Sequence, residues 1–222
     1  MENDSNIETG ENLIVKTFFW MFLGLLGTAI IAWYTYSSGL FIEIILGDYW
    51  SMLLIAEVVV VLLFSFLFKK LPPVVVGILY FVYAAINGVT LSTIFVLFEL
   101  SSIVYLFIAS AALFGGLALV GYKTKADLSK WHTILFGVLI VGVILSLVNI
   151  FIGNSMLDVV LDWVILLVFF GITIYDMNKI KNLSEDVELD QEKLHIYGAM
   201  ELYLDFINIF LRILSLFAKR RD

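Results

Sequence analysis

The chain has 222 residues, of which 62% are hydrophobic and 15% are charged, and its formal net charge at pH 7 is −7. This composition is typical of an integral membrane protein and excludes a basic nucleic-acid-binding surface. There are no cysteines and only two histidines. The absence of cysteine excludes disulfides, thiol catalysis and cysteine metal sites. Two histidines are too few for a histidine-based zinc site.

Continuous apolar runs predict the transmembrane segments, because a helix needs about 20 apolar residues to cross the hydrocarbon core. Charge, proline and turn-forming residues separate the runs at "KKLPP" (69–73) and "GNS" (153–155), and the longest charged loop is 179–193. The runs do not alternate, which excludes a β-barrel. We therefore predict an all-α membrane protein, a seven-helix bundle with spans at 14–36, 51–68, 74–98, 103–122, 133–152, 157–178 and 195–217.

The same pattern predicts three parts along the chain. Residues 1–13 form a polar cytoplasmic tail, residues 14–217 the seven-helix domain, and residues 218–222 a short basic tail. The N-terminal tail is acidic and lacks the basic region of a signal peptide, so we expect a solvated end.

Lysine and arginine predict the orientation, because they concentrate in cytoplasmic loops. The C-terminal Lys219, Arg220 and Arg221 are the only basic residues on the other side of the predicted spans. The N-terminus is therefore expected in the cytoplasm and the C-terminus outside, although a re-entrant last segment would return the basic tail to the cytoplasm. Nine lysines lie on the N-terminal side: Lys16, Lys69, Lys70, Lys123, Lys125, Lys130, Lys179, Lys181 and Lys193.

Ionisable residues inside the spans are candidate functional positions, because each costs several kcal/mol if it faces lipid. Four polar residues of the last span are spaced i, i+4, i+7 and i+11, which is one face of a helix. This polar stripe must point into a bundle, so we expect the last helix to be central. The residues singled out are Glu57, Asp176, Glu201, Asp205 and Arg212, and the stripe is Glu201, Asp205, Asn208 and Arg212.

Two of the carboxylates are candidates for a proton-sharing pair. Asp176 and Asp205 reach similar depths if the sixth helix continues a turn or two past residue 178. Two carboxylates close together in a low-dielectric site cannot both ionise easily, so such a pair senses pH. Arg212 lies two turns from Asp205, and its expected ion-pair partner is instead Glu57. Glu201 remains open between a functional and a purely structural role.

Three segments carry a resemblance to a known family. They are "LPPVVVGILYFVYAAINGVTLSTI" (71–94), "FFGITIYDMNKI" (169–180) and "GAMELYLDFINIFLRIL" (198–214). Together they resemble the transmembrane Bax inhibitor-1 family, over nearly all of the membrane part.

The resemblance implies a seven-helix bundle with the last helix at its centre, in a bacterial cytoplasmic membrane. Bacterial members are described as pH-sensitive calcium leak channels, and their paired aspartates match Asp176 and Asp205, which would be the pH sensor and the calcium ligands. Glu57 is similar to the family's carboxylate in helix 2, and Glu57, Glu201 and Asn208 would line the ion pathway. Many members carry a basic residue deeper in helix 2, whereas the nearest here is at 69–70.

Two functions from different classes follow. The first is a calcium-permeable leak with no cofactor other than the permeant ion, whose partners are the bilayer, calcium and protons. The alternative is a regulator that binds a partner membrane protein, such as a membrane protease or a cell-death factor, through residues 1–12. An enzyme is not expected, because the chain has too few histidines for a zinc hydrolase and has no G-x-S-x-G motif. A retinal protein is not expected either, because the last helix has no lysine between Leu194 and Ala218.

Overall fold

The computed structural model describes residues 2–47, 49–184 and 191–221, and within them the chain consists of helices joined by short turns and loops, without a β-strand. A single isolated bridge pairs Phe98 with Arg220. The helices of the described residues are α1 (Glu2–Ser37), α2 (Leu40–Leu46), α3 (Tyr49–Leu67), α4 (Pro73–Leu91), α5 (Ile94–Leu97), α6 (Leu100–Lys123), α7 (Ser129–Ile152), α8 (Ser155–Ser184) and α9 (Gln191–Phe217).

Six described helical segments are long and apolar enough to cross a membrane, and they match the first six predicted spans. Helix α9 covers the seventh prediction and is long enough, but it is not among the six. Its polar residues lower its hydropathy, so the feature that makes α9 a candidate functional helix also weakens its transmembrane signal. The six segments are Asn12–Ser37, Tyr49–Leu67, Pro73–Leu97, Leu100–Lys123, Ser129–Ile152 and Ser155–Leu183.

The helix ends follow from local chemistry. Pro73 is the first residue of α4, where the missing N–H removes no helical hydrogen bond. Gly153 ends α7 in the left-handed region at φ 69°, which a residue without Cβ adopts at little cost. The Asn154 side chain then accepts hydrogen bonds from the backbone N–H groups of Met156 (3.0 Å) and Leu157 (3.2 Å), which caps the start of α8.

The contacts divide the chain into two compact units. The first unit contains the described residues of 1–99, 183–203 and 220–222, and the second contains 100–182 and 204–219. Helix α9 contributes its N-terminal part to the first unit and its C-terminal part to the second. The predicted division into residues 1–13, 14–217 and 218–222 stays a prediction.

In the first unit, α1 packs closely against α4. A Cβ at Gly88 would lie 2.8 Å from the Thr28 carbonyl oxygen, so only glycine allows this approach. The predicted N-terminal tail is helical from Glu2 in this structure, as part of α1. At the other end of the chain, the backbone N–H of Arg221 donates to Leu97 O (2.9 Å).

In the second unit, α6 packs closely against α8. A Cβ at Gly121 would lie 2.4 Å from the Ile174 carbonyl oxygen, so only glycine allows this approach. The Asn178 side chain donates to the carbonyl oxygens of Gly121 (3.3 Å) and Thr124 (2.7 Å), satisfying groups at the end of α6. On α9, Phe206 and Phe210 both make edge-to-face contacts with the ring of Phe107.

Candidate functional site

Glu57 is held by neutral hydrogen-bond donors from α4. Thr90 Oγ1 donates to Glu57 Oε1 at 2.5 Å, and Asn87 Nδ2 donates to the same oxygen at 3.3 Å. Thr90 Oγ1 also lies 2.9 Å from the carbonyl oxygen of Asn87, its alternative acceptor. If Glu57 gains a proton, it can donate to Thr90, which then donates to that carbonyl. The site therefore accommodates Glu57 in either protonation state.

The network continues from Asn87 through α9 to α1. Tyr203 Oη donates to Asn87 Oδ1 (3.0 Å) and lies 2.7 Å from Thr28 Oγ1, which in turn lies 2.9 Å from the carbonyl oxygen of Ala84. Two hydroxyl protons serve three oxygen–oxygen contacts, so the protons can occupy more than one arrangement. We call Glu57, Asn87, Thr90, Tyr203 and Thr28 the Glu57 network.

Glu201 lies one turn before Asp205 on α9 and hydrogen-bonds within its own helix. Tyr197 Oη donates to Glu201 Oε1. The Tyr197 ring stacks on Phe68, with 4.5 Å between the centroids. Because its tyrosine partner is fixed by this stacking, Glu201 is positioned within the first unit.

Asp176 on α8 and Asp205 on α9 both belong to the second unit and are both buried, with exposed fractions of 8% and 2%. Helix α8 ends at Ser184, six residues beyond residue 178 (184 − 178), which meets the condition for matching depths. The flanking residues are fixed: Asn178 binds the end of α6, and the Tyr175 ring stacks on His132 with 4.3 Å between the centroids. Sharing of a proton between the two aspartates stays a prediction.

Arg212 forms an ion pair that the sequence prediction missed. Its Nη1 lies 2.5 Å from Asp162 Oδ1, and Ser215 Oγ donates to Asp162 Oδ2 at 2.6 Å. The Asp162 residue is 7% exposed. We call these three residues the Asp162 cluster. Arg212 was expected to pair with Glu57; the structure corrects this, because Asp162 lies in the same unit and uses both of its carboxylate oxygens.

Asp158 and Asp162 are two ionisable residues inside the predicted span 157–178 that the sequence prediction missed. Asp158 accepts a hydrogen bond from Asn149 Nδ2 at 2.5 Å, next to the turn between α7 and α8. Their signal in the sequence was the i, i+4 spacing of two carboxylates on one helix face, with an arginine in another span to balance them.

Asn208 was predicted to line an ion pathway. Its Nδ2 donates to the carbonyl oxygen of Leu204 at 2.8 Å, one turn earlier in α9. Within the described residues, no group of three or more histidines, cysteines, aspartates or glutamates could hold a metal ion. The binding of calcium by Asp176 and Asp205 stays a prediction.

Comparisons with known proteins agree with the helical membrane architecture. A family model described as "Inhibitor of apoptosis-promoting Bax1" matches residues 10–222. The chain is 37% identical to the inner membrane protein YbhL of Escherichia coli (strain K12) over 217 residues, covering 95% of this chain and 93% of that protein.

Two further relatives are similar over nearly the full chain. An uncharacterized protein of Deinococcus radiodurans is 31% identical, covering 97% of this chain and 94% of the relative. An uncharacterized protein of Borreliella burgdorferi is 33% identical, covering 94% of this chain and 92% of the relative. The similarity therefore includes every helix described above.

Proposed function

This chain belongs to the Bax inhibitor-1 family of integral membrane proteins, and on that premise we propose that it is a pH-sensitive, calcium-permeable leak of the bacterial inner membrane. The proposal is carried by one observation: Asp176 and Asp205 are both buried in the same unit, on two neighbouring helices of the sequence. Two buried carboxylates in a membrane helix bundle are costly, and they are retained where protons or cations are handled.

The proposed sensor is a proton shared by Asp176 and Asp205. With one proton on the pair, a single negative charge remains, and the channel is closed. When the proton leaves, two carboxylates repel each other and attract a divalent cation, since calcium prefers several hard oxygen ligands. Flux is therefore expected to rise as pH rises through the titration of the pair, which belongs to both residues together.

The Glu57 network supports a pathway for the cation through the first unit. Glu57 offers a carboxylate whose hydrogen bonds come from neutral groups, so a passing cation does not compete with a fixed positive charge. Tyr203, which belongs to this network, lies two residues from Asp205 on α9. Glu201, which we also propose to line the pathway, lies on the same helix between Tyr197 and Asp205.

We also propose that α9 crosses the membrane as a seventh, central span. Along α1 and α4, the ring of His195 packs against Trp20, Tyr203 binds Asn87, and Arg221 Nη1 donates to Tyr36 Oη at 2.6 Å. These contacts extend from Trp20 to Tyr36 along α1, over most of the candidate span Asn12–Ser37, which supports a full crossing. Consecutive buried residues such as Leu202 and Tyr203 support a central position.

The orientation test uses the two ends of α9. The lysine count supports a cytoplasmic N-terminus and an external C-terminus. A cysteine introduced at Ser184 should be protected from an impermeant thiol reagent added to intact cells, whereas one at Ala218 should be labelled. The reverse pattern would overturn the orientation, and protection of both would indicate a re-entrant α9.

The test of function is calcium flux into liposomes that contain only the purified protein, measured at one pH below and one above neutrality. Asp176→Asn and Asp205→Asn should each remove the pH dependence, because an amide keeps the shape of the carboxyl group and does not titrate. The double variant should add little to either single one, since both act on one coupled site. Glu201→Gln is the control and should keep the pH dependence.

A wild-type pH profile in Asp205→Asn would contradict the sensor. Absence of flux from correctly folded wild-type protein at both pH values would favour the second candidate, a regulator that binds a partner membrane protein. The description of the matching family model, which names inhibition of a cell-death factor, supports that candidate. Deleting residues 2–11 should then abolish the association with the partner.

A further inference from the structure

A groove of about 920 Å³ lies between α1, α4 and the beginning of α9. All of its lining residues belong to the first unit. Its volume is in the range of small-molecule binding pockets, which are roughly 300–1,000 Å³. Apolar residues of α4 form one wall, spaced at i, i+3, i+4, i+7, i+8 and i+11: Val74, Gly77, Ile78, Phe81, Val82 and Ala85.

Close packing shapes the groove beside Trp20. A Cβ at Gly77 would lie 3.3 Å from Trp20 Cη2, so the indole sits directly on the α4 backbone at this point. The Trp20 ring also contacts Phe81, with 5.4 Å between the centroids, and His195, with 5.8 Å. Three aromatic rings from three helices therefore form the floor of the groove.

Lys16, the charged residue of the groove, lies at one end of the groove. Lys16 precedes Trp20 by one helical turn, and its side chain is exposed. Lys16 lies four residues into the first candidate span, Pro73 is the first residue of the third, and His195 lies four residues into α9. These three positions share the level at which a span begins, where lipid headgroups meet the acyl chains.

We propose that this groove binds one anionic phospholipid from the leaflet on the N-terminal side. The phosphate lies at Lys16, beside His195, and an acyl chain lies along the α4 wall. Charge complementarity and depth support this occupant. The groove is apolar, begins at the level of the headgroups and carries a lysine at that end. A phospholipid with an anionic headgroup and an apolar tail matches both features. Basic pockets between membrane helices recognise anionic headgroups in this way.

The indole in the floor of the groove provides the assay. In a full-length variant whose only tryptophan is Trp20, with Trp33, Trp50, Trp131 and Trp163 changed to Phe, fluorescence quenching is measured in phosphatidylcholine vesicles that contain brominated phosphatidylglycerol or brominated phosphatidylcholine. We expect phosphatidylglycerol to be preferred at Trp20 by about fivefold, which corresponds to roughly 1 kcal/mol and is the size of one direct hydrogen bond between Lys16 and the headgroup in the groove. Lys16→Gln should reduce the ratio to about one.

A second probe gives the matched control. Trp131 follows the exposed Lys130 at the beginning of α7, so a variant with only Trp131 reports a lysine at a helix surface. Its ratio should stay near that of unselective lipid contact. Ala85→Phe narrows the groove and leaves Lys16 in place, and it should weaken quenching at Trp20 by both lipids.

Three results would overturn the proposal. Equal quenching of Trp20 by both lipids would mean that ordinary annular lipid covers the groove. An equal preference at Trp131 would mean that any interfacial lysine attracts the headgroup, without a binding site. A preference at Trp20 that survives Lys16→Gln would mean that this lysine does not bind the phosphate.

Discussion

The two units stabilise a carboxylate within an apolar helix in opposite ways. In the first unit, Glu57 is bound by the hydroxyl of Thr90 and the amide of Asn87, both neutral. In the second unit, Asp162 is bound by the guanidinium of Arg212 and the hydroxyl of Ser215. A carboxyl group among neutral donors can gain or lose a proton without losing its partners, whereas an ion pair favours the charged form.

The difference separates the acidic residues of this membrane protein into two kinds. Glu57 is suited to respond to protons or cations, and Asp162 is suited to fix the position of α8 relative to the part of α9 in the same unit. The sequence shows both kinds only as acidic residues in apolar segments. Their hydrogen-bond and ion-pair partners in the structure distinguish them. Three substitutions test this distinction.

Breaking the ion pair should have the largest effect. Arg212→Met removes the charged partner of the buried Asp162, and we expect a loss of about 3 kcal/mol, the lower end of the range for buried pairs because the Arg212 side chain is 32% exposed. Thermal unfolding in detergent measures the loss. The double variant Asp162→Leu/Arg212→Met should recover much of it, and failure to recover would mean that Arg212 acts through other contacts.

An intermediate effect is expected from Tyr203→Phe. This change removes the hydroxyl that donates to Asn87 Oδ1 and contacts Thr28, leaving a buried amide oxygen without its donor. A loss of about 1–2 kcal/mol is expected in the same unfolding assay. Tyr197→Phe is the control on the same helix, since it keeps the ring on Phe68 and removes only the bond to Glu201. Stability equal to wild type in Tyr203→Phe would show that the Glu57 network is not coupled through α9.

The smallest change in stability is expected from Glu57→Gln. The amide oxygen still accepts from Thr90 and Asn87, so the loss should stay below about 1 kcal/mol. Asp162→Asn is the matched amide substitution and should cost about 3 kcal/mol, since it leaves Arg212 beside a neutral group. Calcium flux in liposomes should fall in Glu57→Gln while its pH dependence remains. Equal losses of stability in the two amide variants would remove the distinction between the units.

Much of the architecture could be predicted from the sequence because long apolar runs and their breaks are local signals. The proline pair at 72–73 and the turn at Gly153 and Asn154 delimit helices by backbone chemistry that neighbouring residues supply. Helix α9 was predicted at its observed position from the same runs, although its polar residues weaken the signal.

The partners of the charged residues were harder to predict. Tyr203 and Asn87 are 116 residues apart and Arg212 and Asp162 are 50 apart, so no spacing rule relates them. The hydroxyl groups of Thr28 and Thr90 carry no charge, so the rule for ionisable residues in spans does not select them. The same rule does select Asp162, and it is the pairing of Asp162 with Arg212 that the sequence does not predict.

The place of Tyr203 in the chain also bears on biosynthesis. Asn87 and Tyr203 are 116 residues apart, and at ribosomal rates of 5–20 residues per second the donor emerges on the order of ten seconds after its acceptor. Until then Asn87 Oδ1 lacks that hydrogen bond, and a nascent chain stopped before α9 never acquires it. The first unit therefore gains this hydrogen bond only after Tyr203 has been synthesised, and a product truncated before α9 leaves the amide oxygen of Asn87 without this donor inside an apolar helix pair.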